Sequence, residues 1–239
     1  MSSLLIVTGG SSGLGRALLR TAPQPTLRVD VSRSGPPPEA DRHITADLGD
    51  PTAWSTVGRS LRSLITDEPW DDLVVVHAAG TVDPIGFAGE VDDAGYQHSI
   101  LLGAAGQMIG HHVLAALGDA AGAAQLVMVS SGAASSVYAG WSAYGAGKAA
   151  LDQWVRNVGA EQRERGGARV LSIAPGTVAT SMQSSVRAAD PTAFPQVAKF
   201  QGLHDVGALT EPDDAARALW RIIQDPSHDS GAVLDVRAV

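Results

Sequence analysis

Short apolar runs that do not alternate, LVVV at 73–76 and LVMV at 126–129, stand between long stretches of helical periodicity. A strand wetted on one side alternates apolar and polar residues, so an unbroken run calls for a strand covered on both faces. Strand-like runs fall at Leu4–Val7, Leu27–Val31, His43–Thr45, Leu73–Val76, Gln125–Val129, Arg169–Ile173 and Val233–Val236. Helical patterns lie between them near 13–21, 52–65, 92–117, 142–165 and 211–224. Strand and helix in alternation demand right-handed crossovers and a parallel sheet. A chain of 239 residues can bury one full core, so one α/β domain over 1–239 is expected.

Local chemistry marks the helix ends. Thr210 is a candidate cap for the last helix, with Glu211, Pro212, Asp213 and Asp214 in its first turn. Gly166-Gly167 stops the helix at 142–165. The tract SGPPPEA at 34–40 reads as a surface loop.

A formal charge of −8 argues against nucleic acid or an anionic membrane as the main partner. It leaves room for a small anion held by backbone N–H groups. Without cysteine there is no disulfide framework, thiolate nucleophile or zinc–thiolate site. No apolar run approaches a membrane span, and MSSLLIVTGG lacks a basic leader and runs straight into a glycine motif. A soluble, cytoplasmic protein is expected, with no metal site and no membrane partner.

The glycine motif is TGGSSGLG, Thr8–Gly15, spaced Gly9-x-x-x-Gly13-x-Gly15 between the first strand and the first helix. Glycines there permit a tight turn, and the backbone of Ser11, Ser12 and Leu14 comes close enough to hold a pyrophosphate at the helix N-terminus. The second strand ends RVDVSRSG. An acid at that tip would hold the ribose 2′-hydroxyl of NAD, and an arginine would pair with the 2′-phosphate of NADP. Ser32 and Arg33 occupy the tip, which favours NADP(H). Asp30, two residues earlier, favours NAD(H) if the strand ends sooner. Asp47, after the third strand, is placed either to meet the adenine or to cap the next helix.

WSAYGAGKAALDQW, 141–154, sets Tyr144 and Lys148 one helical turn apart on one face. Thirteen residues earlier Ser131 follows a buried strand in VMVSSGAAS, and APGTVATSM follows the sixth strand. With TGGSSGLG, SSGAAS, YGAGK and PGTVAT in this order and separation, nearly the whole chain resembles the short-chain dehydrogenase/reductase family. GWSAYGAGKAAL and PGTVATSMQSSVR look most like its sepiapterin and benzil reductase subgroup. The resemblance implies a doubly wound Rossmann fold with a seven-stranded parallel sheet, order 3-2-1-4-5-6-7.

It also implies roles. Tyr144 would give its proton to a carbonyl oxygen as hydride arrives from the nicotinamide. Lys148 would bind the nicotinamide ribose and lower the tyrosine pKa, Ser131 would hydrogen-bond the substrate oxygen, and Thr180 would seat the carboxamide. Leu48, Ala78, Ala79, Gly80, Pro175, Gly176 and Val178 complete the implied cofactor set. A phenol of pKa about 10 must fall by about 3 units to release its proton near neutrality, about 4 kcal/mol. One ammonium about 4 Å away, at an effective dielectric of about 20, supplies a similar amount.

Two departures stand out. The family carries a relay asparagine on the helix between the fourth and fifth strands, where this chain has YQHSILLGAAGQ with Ser99 or Ile100 at the place. Ser99 or His98 are the candidate substitutes, since Asn157, the sole asparagine, lies on another helix. The expected NNAG is HAAG, 77–80, with His77 read as a structural hydrogen-bonder.

The expected activity is NADP-dependent reduction of a small ketone or diketone. The rival is a catalytically weak dinucleotide-binding sensor or structural partner. An epimerase fits poorly, because only about sixty residues follow PGTVAT. Residues 177–208 are expected to form a mobile flap, with Met182, Phe194, Phe200 and Leu203 lining an apolar pocket and Arg187 a surface charge. A homodimer or homotetramer is expected, with the helices at 92–117 and 142–165 as interfaces.

Overall fold

A computed structural model describes residues 2–23, 27–118 and 123–238. The strands are β1 (Ser3–Thr8), β2 (Leu27–Ser32), β3 (Arg42–Thr45), β4 (Asp72–His77), β5 (Ala124–Val129), β6 (Arg169–Ala174) and β7 (Val233–Asp235). The helices are α1 (Gly13–Thr21), α2 (Pro51–Thr66), α3 (Asp93–Leu117), α4 (Ser142–Arg165), α5 (Ser181–Arg187), α6 (Val197–Asp205) and α7 (Pro212–Gln224). All strands are parallel, in the order β3-β2-β1-β4-β5-β6-β7.

The unbroken apolar runs follow from this order. Leu4 and Ile6 of β1 join one core with Leu61 of α2, Ile109 of α3 and Val155 of α4. Leu5 and Val7 point the other way, into a core with Leu18 of α1 and Leu219 and Trp220 of α7. In the central strands successive residues are thus buried whichever face they take, at about 1.5–3 kcal/mol per large aliphatic side chain. The chain reverses its winding between β1 and β4. Their carboxyl ends open a crevice there, the place where doubly wound sheets bind ligands.

The helices begin where their caps dictate. Asp50 caps α2 by accepting from Thr52 N at 2.9 Å, with Pro51 in the first turn. Asp92 caps α3, its carboxylate accepting from Gly95 N. The cap expected of Thr210 is not made: Glu211 is the N-cap of α7, and Thr210 instead bridges to Val178. Its backbone is consumed there, donating to Thr177 O and accepting from Ala179 N.

Helix α3 also departs from the sequence reading, since it is long and apolar enough, by length and composition, to cross a membrane. Its apolar residues Leu102, Ile109 and Val113 are spent on the sheet core. The segment expected as a flap contains α5 and α6. Together with the loop after β5 it builds a third apolar cluster around Trp141, Val186, Phe194, Val197 and Phe200, above the carboxyl ends of the strands.

Candidate active site

One cleft of 720 Å³ runs along those carboxyl ends. Every residue expected to touch the cofactor or reacting carbonyl lines it: Gly9 to Gly15 by way of Ser11, Ser12, Gly13 and Leu14, then Ser32, Arg33, Asp47, Leu48, Ala78, Ala79, Gly80, Ser131, Tyr144, Lys148, Pro175, Gly176, Val178 and Thr180.

At one end the glycine turn closes on its neighbours. Gly9 (φ +74°) has a left-handed backbone, and a Cβ there would stand 2.9 Å from the backbone of Ala79. A Cβ on Gly15 would stand 2.2 Å from the carbonyl oxygen of Gly9. Ser12 caps α1 in position only, with no side-chain hydrogen bond to the first turn. The first N–H groups of the helix therefore lack a side-chain acceptor and face the crevice, the condition for an anion site. A dinucleotide pyrophosphate fits this turn.

The second strand runs through Ser32, so the tip is Ser32-Arg33, as the NADP reading requires. Asp30 is fully buried and turned inward, accepting from Gly10 N and Ser32 Oγ. Arg33 is exposed, with Nη1 3.9 Å from Asp47 Oδ2. Asp47 accepts from Gly49 N at 2.9 Å and does not cap α2, which Asp50 does.

At the other end Ser131 follows β5 and caps a short 3-10 turn, Gly132–Ala134, its hydroxyl accepting from Ala133 N at 3.2 Å. Tyr144 and Lys148 project from the first two turns of α4, held against α3 where Gly103 and Gly147 meet with no side chain between them. Lys148 Nζ donates to Val129 O at 2.6 Å and lies 5.9 Å from the centre of the Tyr144 ring. Burial brings the Lys148 ammonium down to about 8, partly offset by Asp152 one turn on.

The tyrosine differs from expectation. Burial pushes the Tyr144 phenol above its ordinary range, and the hydrogen bond with Ser131 only pulls back part of that. Within the protein the ammonium serves the Val129 carbonyl, and desolvation governs the phenol. Tyr144 is therefore a neutral hydroxyl near neutrality, the state a proton donor needs.

Behind this pair lies a 20 Å³ cavity lined by His77, Ser99, Tyr144 and Lys148 among others, large enough for one water. Ser99 is buried, whereas Ile100 is 49% exposed on the outer face of α3. His98 packs over Gly49 instead. His77 pairs through Nδ1 with Thr8 Oγ1 at 2.9 Å, the structural role expected of it.

The substrate half of the cleft was only partly visible in the sequence. Met182, Phe200 and Leu203 line it as expected, but Phe194 is fully buried behind Trp141, ring centres 4.6 Å apart. Arg187 donates to Ser184 Oγ on the exposed side of α5, away from the cleft. Tyr138, Trp141, Lys199 and Arg237 line the cleft without having been singled out. Lys199 Nζ donates to Tyr138 OH at 2.8 Å. A signal for it existed: Lys148 and Lys199 are the only lysines in the sequence, and both line this cleft.

The family model for short chain dehydrogenase matches residues 3–191. The chain belongs to the short-chain dehydrogenase/reductase family and is an oxidoreductase of that class. It is 28% identical over 239 residues to the benzil reductase ((S)-benzoin forming) of Bacillus subtilis, covering 98% of both chains. It is 29% identical over 240 residues to the sepiapterin reductase of Mus musculus, covering 98% of this chain and 85% of that one. Among solved structures, a short-chain dehydrogenase/reductase from Saccharomyces cerevisiae superposes with a TM-score of 0.80 at 21% identity, over 98% of this chain and 96% of that one. A short-chain dehydrogenase from Shigella flexneri complexed with NADP gives 0.77 at 22%, over 98% and 97%.

Proposed function

We propose that the protein reduces a small ketone or diketone to an alcohol with NADP(H), Tyr144 acting as general acid. The observation that carries this reading is one cleft with a glycine turn fit for a pyrophosphate at one end and Ser131, Tyr144 and Lys148 at the other. When bound, the cofactor supplies the hydride that adds to the carbonyl carbon. Ser131 and Tyr144 hydroxyls hold the carbonyl oxygen, and the Tyr144 proton passes to it as the negative charge develops. Raised by burial, the phenol keeps that proton until the charge appears. Lys148, fixed by Val129 O, keeps further N–H groups that would hold the nicotinamide ribose and stabilise the phenolate that forms. Ser99 takes the place of the relay asparagine at the water-sized cavity, through which the phenolate recovers a proton.

Arg33 at the end of β2 supports NADP, since its guanidinium can pair with a 2′-phosphate while Asp30 is turned inward. Tyr138, Trp141, Phe200, Met182 and Leu203 give the substrate end an aromatic and apolar wall, suited to an aryl or alkyl ketone. The relatives named as reductases of benzil and sepiapterin act in the same chemical range. Residues 177–208 form the roof of this end, and α3 and α4 are the faces on which a homodimer or homotetramer would assemble.

The test is a panel of ketones and diketones with NADPH and NADH in parallel, with Tyr144→Phe as control. The wild type is expected to oxidise NADPH faster than NADH with at least one diketone. The variant should lose turnover by at least about 100-fold while its NADPH fluorescence titration stays unchanged. Turnover that survives the substitution removes Tyr144 from the mechanism. Cofactor binding with no turnover across the panel supports the sensor instead.

A further inference from the structure

Asp30 lies fully buried beneath the cofactor turn, with His43 Nδ1 at hydrogen-bond distance, 2.9 Å from Oδ2. Its two oxygens reach different parts of the site. Oδ1 accepts from Gly10 N at 2.8 Å, inside the glycine turn, and is packed so tightly that a Cβ on Gly10 would stand 2.6 Å from it. Oδ2 accepts from Ser32 Oγ at 2.7 Å, at the strand tip beside Arg33. One carboxylate therefore links the pyrophosphate turn to the residue at the 2′ position of the adenosine ribose.

The link fixes what Ser32 can offer. A hydroxyl has one proton and two lone pairs. Ser32 gives its proton to Asp30 and so turns lone pairs toward the cleft, which it lines. Lone pairs suit a donor, the ribose 2′-hydroxyl of NAD(H). A 2′-phosphate presents acceptor oxygens and gains nothing from them. Two neighbours thus pull in opposite directions: Arg33 toward the phosphate, Ser32 toward the hydroxyl.

Resting on the cofactor reading above, we propose that Asp30 is a positioning residue for cofactor choice. By holding Ser32 as an acceptor it keeps the site open to NAD(H) and limits the preference for NADP(H) that Arg33 confers. The isosteric Asp30→Asn tests this directly. An amide oxygen still accepts from Gly10 N, while the amide N–H groups donate to Ser32 Oγ and His43 Nδ1. Ser32 then no longer gives its proton to Asp30, and a 2′-phosphate in the cleft competes for that proton with only the Ser34 carbonyl, 3.5 Å away.

The experiment is titration of the full chain with NADPH and with NADH, followed by nicotinamide fluorescence. Asp30→Asn is expected to move the ratio of the two dissociation constants about ten-fold in favour of NADPH, one charge-assisted hydrogen bond. Ser32→Ala is expected to weaken NADH about five-fold and leave NADPH within about two-fold. In the Ser32→Ala background, Asp30→Asn should no longer move the ratio. A purely structural role would weaken both cofactors equally, which overturns the proposal, as does a ratio that still moves without the serine. If Asp30→Asn does not fold, Ser32→Ala decides alone, and equal loss of both cofactors or loss of NADPH only refutes it. A wild type that binds neither cofactor refutes the cofactor reading itself, a different result from equal shifts in a protein that binds both.

Discussion

At the scale of single residues the site turns on which form each group holds. Tyr144 is raised by burial, so it stays protonated through the range in which most assays are run. Lys148 is the group that titrates there, lowered by burial to about 8. Below that value it is an ammonium with N–H groups beyond the one given to Val129 O, which the proposed reaction would use; above it the charge is gone. The expected pH profile of kcat/KM for carbonyl reduction is therefore level from about 6.5 to 7.5 and falls about ten-fold per unit well above 8. Lys148→Arg, whose guanidinium never loses its proton in this range, should lose activity but also lose the break near 8. A profile whose alkaline limb is identical in the two proteins would assign that limb to another group. The candidate residues Ser131, Tyr144 and Lys148 could be picked out of the sequence by their separations, and they do line one cleft. The state of Tyr144 was not legible there, because desolvation depends on how α3, α4 and the loop after β5 close around it, which no spacing reveals.

At the scale of elements, the central strands β1, β4 and β5 were readable because they are buried on both faces and carry unbroken apolar runs, whereas the edge strands β3 and β7 are only partly covered. Helices α5 and α6 were not singled out. At seven and nine residues they are short, they lack the strand-to-helix glycine turn that marks the equally short α1, and they are held by Phe194 and Phe200 meeting Trp141 from distant parts of the chain. Glycines inside the long helices were equally opaque, since their purpose is a close approach made in space. Gly159 of α4 shows this: a Cβ there would stand 2.2 Å from the backbone of Gly231, in the loop that leads into β7. Backbone cannot swing aside as a side-chain tip can. Gly159→Ala should therefore push α4 away from that loop and cost about 2 kcal/mol, seen as a fall of about 4–8 °C in the thermal midpoint. Cofactor affinity and turnover per folded molecule should hold, because α4 presents Tyr144 and Lys148 from its opposite end. An unchanged midpoint would mean that the loop yields freely.

At the scale of the whole molecule, the same packing that builds the cleft stores a liability toward acid. His77 ends β4 in the middle of the sheet, 2% exposed, hydrogen-bonded to Thr8 of the neighbouring strand. Burial, with Lys148 adding repulsion, depresses its pKa to about 3, against 6.5 for an ordinary imidazole. Below pH 6.5 the unfolded chain takes up a proton that the folded protein refuses. The stability this neutral histidine contributes is thus complete above about 6.5 and drains away as pH falls toward 3, at about 1.4 kcal/mol per unit. Glu39, Asp213, Asp225 and Asp235, whose carboxylates are lowered by their partners, lose their own contribution in the same direction but near the carboxylate range. The window from 6.5 to about 4.5 therefore belongs to the histidines that burial lowers, His77 with a smaller part from His112. His77→Asn keeps an amide near the Thr8 hydroxyl and removes the titration. Urea unfolding at several pH values should show the wild type losing about 2–3 kcal/mol more than the variant across that window, the variant keeping only the shallower loss due to His112 until the carboxylates begin to protonate. Parallel slopes for the two proteins would mean that the histidine is already protonated in the fold, its charge solvated from the water-sized cavity that it lines.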